Sequence, residues 1–192
     1  MTRHLALPII ACCALFSPSV SNAAGTGTKL TAKQDVSWKH YFNRDAKYCI
    51  GYPNRWLREQ TPDGSGFTLA TGVNRFSMPV GEMDITVTRA TDDAAHLIEA
   101  HLEGVKKFVR ASNIELLEKR EMVVSGASAV FTKDRYRDPL EKADWIEELV
   151  LARHNNALYR LEMVCRADHV SRFELMFLRF VHSLELDCNG KR

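Results

Sequence analysis

No run of basic residues occurs in this sequence. Its 26 basic and 24 acidic residues give a formal net charge of +2, and the two signs alternate along the chain. A protein that binds nucleic acid usually carries a concentrated basic stripe, whereas mixed charge is the ordinary state of a soluble surface. We therefore expect no nucleic-acid partner.

The common catalytic motifs are also missing. The sequence has no Cys-x-x-Cys pair and no Gly-rich phosphate loop, and the strings at Gly64–Gly66 and Gly126–Val130 lack the spacing of a serine-hydrolase elbow. Neighbouring acids such as Glu147 and Glu148 point to opposite sides of a strand, so they do not form an acid–base pair. We predict no catalytic residue and no cofactor, and an enzyme is the less favoured interpretation.

The histidine spacing does not predict a metal site. His96 and His101 are five residues apart, about 140° around a helix at 100° per residue. They cannot bind one ion as the two histidines of His-Glu-x-x-His do. His96, Glu99 and Glu103 share a helix face, but nearby lysines favour solvated ion pairs there. The sequence therefore predicts no metal ligand.

No apolar run is long enough to cross a membrane, which takes about 20 residues. The run Leu5–Phe16 follows a short basic start and precedes small residues, which is the layout of a secretory signal peptide. We place the cleavage after Ala23, so that residues 1–23 leave and the protein is secreted or periplasmic. The alternative is a lipoprotein box, in which Cys12 is lipidated and anchors the chain to a membrane.

Length and composition fit one folded domain after the signal. The chain has 192 residues, of which 45% are hydrophobic and 26% charged, close to globular averages. We assign residues 24–44 to a flexible lead-in, residues 45–188 to a single domain and residues 189–192 to a tail. The fold itself is expected to begin between Trp38 and Lys47. No internal repeat indicates a second domain.

Three cysteines remain if Cys12 and Cys13 leave with the signal: Cys49, Cys165 and Cys188. An exported chain favours one disulfide and one spare thiol. Cys165 and Cys188 flank a predicted helix of about 15 residues, which is about 22 Å long at 1.5 Å per residue, so this pair is the least favoured. We favour Cys49–Cys188, with Cys165 as the alternative partner of Cys49. Cys165 is also the best placed of the three for a reactive thiol, a role that we favour less.

Hydrophobic periodicity predicts an α+β domain. Alternating or β-branched apolar residues predict strands at 48–53, 67–71, 83–88, 114–124, 128–136, 145–153 and 158–165. Helical spacing predicts one helix of about 17 residues, capped by Asp92 or Asp93, and a closing helix capped by Asp168. Residues suited to turns join the later strands. We therefore expect an antiparallel sheet of about six to seven strands, flanked by helices.

A short segment near position 50 carries the strongest fold signature. Tyr48, Ile50 and Tyr52 alternate, which predicts the inward face of a strand. Pro53 ends that strand because it has no N–H to donate, and Trp56 is expected to cover the end of the sheet. A Gly-Ser-Gly turn then leads into the returning strand. We interpret this segment as structural.

With this Tyr-Cys-Ile-Gly-Tyr-Pro step, the tryptophan that follows it, and a closing helix that runs into His182-Ser183-Leu184, the chain resembles the PsbP-like superfamily. That superfamily includes the DcrB-type bacterial envelope proteins. The resemblance covers about residues 45–187 and implies an α-β-α sandwich around an antiparallel sheet. It also implies an accessory or assembly role within larger complexes, and it carries no catalytic residue.

We therefore predict a secreted or periplasmic, non-enzymatic binding or accessory domain whose partner is an envelope or extracellular protein. Aromatic residues are enriched at interface centres, which makes Trp38, Trp56, Tyr136 and Trp145 contact candidates, although core packing explains each at least as well. The alternative is a small envelope hydrolase with a site between sheet and helix. Convergent polar groups with perturbed pKa values would favour that alternative.

Overall fold

Two antiparallel sheets and two helices form the part of the chain that the structure, a computed structural model, describes: residues 37–71, 81–89, 94–109, 114–139 and 141–190. The strands are β1 (Trp38–Asn43), β2 (Tyr48–Pro53), β3 (Leu57–Gln60), β4 (Phe67–Ala70), β5 (Gly81–Arg89), β6 (Ile114–Val124), β7 (Ala127–Asp138), β8 (Ala143–His154), β9 (Ala157–Arg166) and β10 (Glu185–Leu186), and the helices are α1 (Ala94–Val109) and α2 (Val170–His182). The predicted signal peptide and the predicted caps Asp92 and Asp93 lie outside the described residues.

The larger sheet has seven strands in the order β3-β4-β5-β9-β8-β7-β6, and every neighbouring pair is antiparallel. Two of its hairpins have two-residue turns with positive φ: Ser125 at 51° and Gly126 at 80° join β6 to β7, and Asn155 at 52° stands between β8 and β9. The predicted fold class is confirmed: an α+β domain with an antiparallel sheet of seven strands and helices beside it.

A second sheet of three strands has the order β1-β2-β10. β1 falls within the predicted lead-in, so the lead-in ends earlier than residue 44 and the fold includes Trp38–Asn43. β2 is the central strand, and the prediction that it buries one face is incomplete. Tyr48 and Ile50 are fully buried, but Cys49 and Gly51 on the other face are buried as well.

The end of α2 covers the face of β2 that carries Cys49 and Gly51. The backbone N–H of Gly51 donates to Ser183 Oγ at 2.9 Å. A Cβ at position 51 would lie 3.3 Å from the Ser183 side chain, so glycine permits this close approach. The Ser-Leu step after the closing helix therefore joins α2 to the smaller sheet.

The sequence predicted that the Gly-Ser-Gly turn leads back to a strand beside β2. In the structure this turn joins β3 to β4, where the N–H of Thr61 donates to the Gly66 carbonyl at 3.0 Å. Leu57–Gln60, which was not predicted, is a fully exposed edge strand. Trp56 is half-buried, and its ring lies 5.6 Å from that of Phe173 on α2, so it packs against the helix.

The structure joins Cys49 to Cys188 by a disulfide, with the Cα atoms 5.6 Å apart. β10 brings the two together because Glu185 pairs with Cys49 in the smaller sheet. Cys165 is free and fully buried. Burial raises the pKa of its thiol to about 12, which leaves the sulfur protonated and unreactive at neutral pH.

The main core lies between α2, the smaller sheet and one face of the larger sheet. Phe173, Phe177 and Phe180 are buried along α2, as the predicted apolar stripe requires. They pack with Met83 and Leu161 from the centre of the larger sheet. Neither of the described helices is long and apolar enough to cross a membrane.

The start of α2 differs from the prediction. Asp168 lies in a 3-10 turn over Ala167–His169 and does not cap the helix; the N-cap residue is His169, which makes no side-chain capping bond. The carboxylate of Asp168 instead accepts hydrogen bonds from Arg166, at 3.3 Å. The extra turn moves the helix start past the aspartate.

Candidate functional site

The second face of the larger sheet lies under α1. Side chains alternate between the two faces of a strand, so Glu148 and Val150 of β8 face α2 whereas Glu147 and Leu149 face the other way. Ile98 of α1 packs there in a small cluster with three buried leucines of the sheet, Leu149, Leu151 and Leu158. This cluster covers only part of the face.

The rest of the α1 face carries a row of buried acids. The register pairs Asp84 of β5 with Glu162 of β9, and Glu147 of β8 with Asp134 of β7. These four residues, here called the acid row, cross four adjacent strands on one face. Glu147, Asp134 and Glu162 are buried, and Asp84 buries one carboxylate oxygen completely.

Two basic side chains contact the acid row. Arg160 forms an ion pair with Glu162 and places Nη2 3.2 Å from His101 Nδ1. His101 projects from α1, and its Nε2 contacts Glu147. Because a guanidinium can only donate, Nδ1 of His101 accepts, and the ring proton is on Nε2, which donates to Glu147.

Several carboxylate oxygens of the acid row have no such partner. Neither Oδ1 nor Oδ2 of Asp134 makes a hydrogen bond to any residue that the structure describes, although Asp134 is only 2% exposed. Oδ1 of Asp84 is likewise buried and unsatisfied among those residues. Buried charged groups are nearly always paired or bound to a metal, so these oxygens need an explanation.

The electrostatics of the row follow from burial. Burial raises the pKa of Glu162 to about 8, against the opposing effect of Arg160, while the nearby Glu147 adds to the rise. Burial raises the pKa of Asp134 to about 6, opposed by His101. The pKa of Asp84 lies well above its ordinary value, first because of burial and then because of Glu162. The row therefore holds protons near neutral pH.

His101 responds in the opposite direction. Burial lowers its pKa, because the protonated ring loses hydration, and Glu162 partly offsets that effect. A neutral ring agrees with the hydrogen bonding, in which Nδ1 accepts from Arg160 and Nε2 donates to Glu147. A neutral imidazole beside two carboxyl groups is also a possible set of metal ligands: the ligand atoms of His101, Glu147 and Glu162 all lie within 4.8 Å of one another.

This grouping was not predicted from the sequence. The spacing of His96 and His101 predicted that they do not bind one ion as in His-Glu-x-x-His, and in the structure His101 faces the sheet while His96 is exposed. Glu147 and Glu148 were predicted to point to opposite sides of a strand, and they do. Each, however, finds a partner elsewhere, His101 for the first and Lys133 for the second, at 3.0 Å. The absence of catalytic and metal residues stays a prediction.

One signal in the sequence could have indicated burial of these acids. β8 is apolar on both faces after them, from Leu149 to Ala152, which indicates a strand covered on both sides. Acids at the start of such a strand are then also expected to be buried, and a buried acid requires a partner. Which partner it finds depends on the register of other strands.

The aromatic contact candidates are largely packed. Trp38 is half-buried, with the guanidinium of Arg179 4.5 Å from its ring. Trp56 and Trp145 are half-buried and Tyr136 is buried. The large apolar side chains that the structure leaves exposed are others: Phe42, Leu57, Leu116, Leu117, Val123 and Leu175.

Three of these six exposed side chains lie on β6, the edge strand of the larger sheet. Leu116 pairs with Asp134 and Val123 with Ser128, so both point to the α1 face. Lys119 and Glu121 stand between them on that face and line a cleft of about 280 Å³ with Ile98 and Val130. We call Leu116, Leu117, Lys119, Glu121 and Val123 the β6 surface.

No protein-family model and no curated protein matches the sequence. Solved structures do match. Cyanobacterial PsbP (CyanoP) from Synechocystis sp. PCC 6803 has a TM-score of 0.59 at 11% identity, over 84% of this chain and 98% of that chain. The Ran-binding protein Mog1p of Saccharomyces cerevisiae has a TM-score of 0.58 at 8% identity, over 81% and 98%.

LpqN, involved in cell envelope biogenesis of Mycobacterium tuberculosis, has a TM-score of 0.52 at 10% identity, over 79% of this chain and 91% of that chain. The predicted resemblance to the PsbP-like superfamily is thereby confirmed for the fold. Identities this low show the fold alone, because one fold hosts many functions.

Proposed function

We propose that this chain is a binding or accessory domain that acts through protein contacts, and that the β6 surface is where the partner binds. The observation that carries the proposal is the concentration of exposed apolar side chains on one edge strand: Leu116, Leu117 and Val123 are 47%, 41% and 67% exposed. Exposed apolar groups rimmed by polar residues are typical of protein interaction sites.

The fold supports a protein-binding role without identifying the partner. Mog1p is a Ran-binding protein, and it shares this fold over most of its length. LpqN, with the same fold, is involved in cell envelope biogenesis. Those activities belong to those proteins. They support the proposal because a domain with this fold binds a protein in one case and is involved in cell envelope biogenesis in the other.

Contact at the β6 surface is expected to involve side chains more than strand pairing. The register shifts between Leu116 and Glu118, which marks a bulge, and Lys119, Arg120 and Glu121 follow it on the strand. A bulge and charged residues both hinder the addition of a further strand at a sheet edge. A partner would instead insert apolar side chains beside Val123 and into the cleft near Ile98.

We also propose that the protein acts in the periplasm or outside the cell. The disulfide between Cys49 and Cys188 supports an oxidising compartment, and the signal-like start of the sequence supports export. The partner is then an envelope or extracellular protein. Intact mass of the mature protein distinguishes a start at Ala24 from a chain that begins at a lipidated Cys12.

Affinity capture from an envelope extract of the source organism, followed by mass spectrometry, tests the proposed contact. The wild-type protein is expected to retain a specific partner, and the double variant Leu117→Glu/Val123→Glu is expected to lose it. Leu175→Glu is the matched control, because Leu175 is 71% exposed but lies on α2. Equal capture by all three proteins, or no specific capture by the wild type, would contradict the proposal.

The acid row favours a second candidate, an envelope hydrolase with its site between sheet and helix. Its carboxyl groups and His101 converge there, and their pKa values are perturbed in opposite directions. The test is turnover of generic ester and peptide substrates by the wild type and by Glu147→Gln. Turnover that the variant abolishes while its circular dichroism is unchanged would favour the hydrolase; no turnover by the wild type would remove it.

A further inference from the structure

We propose that a divalent transition-metal ion binds between the acid row and α1, with His101, Glu147 and Glu162 as direct ligands. The three residues come from α1, β8 and β9, and their ligand atoms lie within 4.8 Å of one another. Ligands that share one ion at about 2.1 Å can be at most about 4.2 Å apart. Side-chain movement of less than about 1 Å would therefore bring all three into one coordination sphere.

An independent observation supports a cation at this place. Asp134 is 2% exposed, and neither of its carboxylate oxygens has a hydrogen-bond donor among the residues described. It faces the same space as the three ligands, because it pairs with Glu147 across the sheet and interacts electrostatically with His101. Of the four carboxyl groups in the acid row, Glu162 is the one that pairs with the guanidinium of Arg160 among the described residues. A cation at this place would give the carboxylate of Asp134 a partner.

The mixture of ligand atoms indicates the kind of ion. Calcium takes oxygen ligands, whereas imidazole together with carboxylates suits zinc and manganese. The site also has a route to solvent, because the side chains of His101 and Arg160 are 13% and 29% exposed. We therefore expect Zn²⁺ or Mn²⁺ to bind and Ca²⁺ to bind weakly.

Arg160 competes with the ion. In the structure Nη2 of Arg160 donates to Nδ1 of His101, and the ring carries its proton on Nε2. When Nε2 binds a metal, the proton of the neutral ring moves to Nδ1, which can then no longer accept from the guanidinium. Arg160 must turn towards solvent, and its partner Glu162 becomes available to the metal.

The test is titration of purified, chelator-treated protein, disulfide intact, with Zn²⁺ and separately with Mn²⁺ by calorimetry. We expect one ion per chain and a rise in Tm. Glu147→Gln is expected to lower the affinity at least about tenfold. Glu148→Gln is the matched control, because the neighbouring residue is equally buried but faces α2, and it should keep the wild-type affinity.

Arg160→Met separates a metal site from a purely structural network. It removes the competing cation, so we expect the metal to bind more tightly and to raise Tm by more than in the wild type. In addition, Co²⁺ bound to wild-type protein should show d–d absorption without a thiolate charge-transfer band, because the ligands are nitrogen and oxygen. Absence of Zn²⁺ and Mn²⁺ binding, or binding that Glu147→Gln retains, would overturn the proposal.

Discussion

The two faces of the seven-stranded sheet differ in the side chains that they bury. The face under α2 is apolar: Phe173, Phe177 and Phe180 close over it, and its buried carboxyl, Glu148, is paired with Lys133. The face under α1 has a small apolar cluster around Ile98, and the acid row lies beside this cluster. One sheet therefore separates a hydrophobic core from a layer of buried ionisable side chains.

The difference shows what each face contributes. Burial of apolar surface stabilises the fold by about 25 cal/mol per Å², which accounts for the α2 face. Burying four carboxyl groups, of which Glu162 is paired with Arg160 and Glu147 with His101, costs stability, since removal of charge from water is compensated only by close pairing. Stability does not explain the acid row. Perturbed acids concentrate at functional sites, which is why the proposed metal site lies on the α1 face, whereas the apolar α2 face accounts for stability.

The largest expected effect is on the α2 face. Phe177→Ala removes a fully buried ring from the core and is expected to lower the free energy of unfolding by about 3–5 kcal/mol. Chemical denaturation monitored by circular dichroism measures the loss. Leu175→Ala, on the same helix but 71% exposed, should change it by less than about 0.5 kcal/mol. Similar losses in both variants would mean that Phe177 does not lie on the buried face of α2, or that Leu175 does not lie on its exposed face.

The next effect is a pH dependence on the α1 face. The pKa of Glu162 is raised to about 8 in the folded state, so its contribution to stability is fully present below its ordinary pKa of 4.5 and is lost as pH rises through 8. Each unit of difference between the folded and unfolded pKa is worth about 1.4 kcal/mol. Metal-free Glu162→Gln lacks this loss, and its stability relative to wild type should increase by a few kcal/mol between pH 5 and pH 8.

Chemical denaturation at a series of pH values measures this change, and the same measurement on Glu148→Gln tests the α2 face. Burial also raises the pKa of Glu148, but Lys133 opposes the rise at a distance of 3.0 Å. We therefore expect the unfolding free energy of Glu148→Gln, relative to wild type, to change less with pH than that of Glu162→Gln. Equal changes in the two variants would show that a buried carboxyl has the same effect on both faces.

A third prediction concerns Asp134, whose carboxylate accepts no hydrogen bond from the residues that the structure describes. Its pKa is raised to about 6, so in the absence of metal the carboxylate is charged and unpaired at pH 7.5. Asp134→Asn removes that charge and is expected to stabilise the metal-free protein by about 1–2 kcal/mol. Asp144→Asn, an exposed residue of β8 paired with Arg137, serves as control and should cost less than about 1 kcal/mol. A loss of stability in Asp134→Asn would show that the carboxylate is satisfied after all.

Much of the fold could be predicted from the sequence because it depends on local periodicity. The alternation in β7 and the apolar stripe of α2 occur within single elements, and both predicted the observed elements closely. The turn residues at Ser125-Gly126 indicated a hairpin in the same way. The start of α2 was predicted wrongly at Asp168, because a 3-10 turn competes with the capping geometry there.

The acid row could not be predicted in this way. Its residues are far apart in sequence, at positions 84, 134, 147 and 162, and they meet only through the register of four strands. The smaller sheet was missed for a related reason. β10 has two residues, and β1 pairs with β2 through a short turn in which Asn43 accepts from two backbone N–H groups. Elements that depend on long-range pairing carry little periodic signal of their own.

The smallest expected effect is that of Glu174→Gln on the α2 face, and its partner Lys133 provides the comparison. Lys133 lies between Glu148, at 3.0 Å, and Glu174 of α2, at 3.1 Å. Glu174 is 42% exposed at the side chain, so its ion pair is partly screened by water, and Glu174→Gln is expected to cost at most about 1 kcal/mol. Lys133→Met instead leaves Glu148 buried without a cation and is expected to cost about 3–5 kcal/mol.

Chemical denaturation at pH 7 measures the loss of unfolding free energy in Lys133→Met and in Glu174→Gln. A much larger loss in Lys133→Met means that Lys133 alone compensates the buried carboxyl of Glu148, with or without the carboxylate of Glu174. A cost above about 2 kcal/mol for Glu174→Gln would mean that the outer carboxylate also holds Lys133 in place. The α2 face would then depend on a network of charged side chains as the α1 face does, and buried charge would no longer distinguish the two faces.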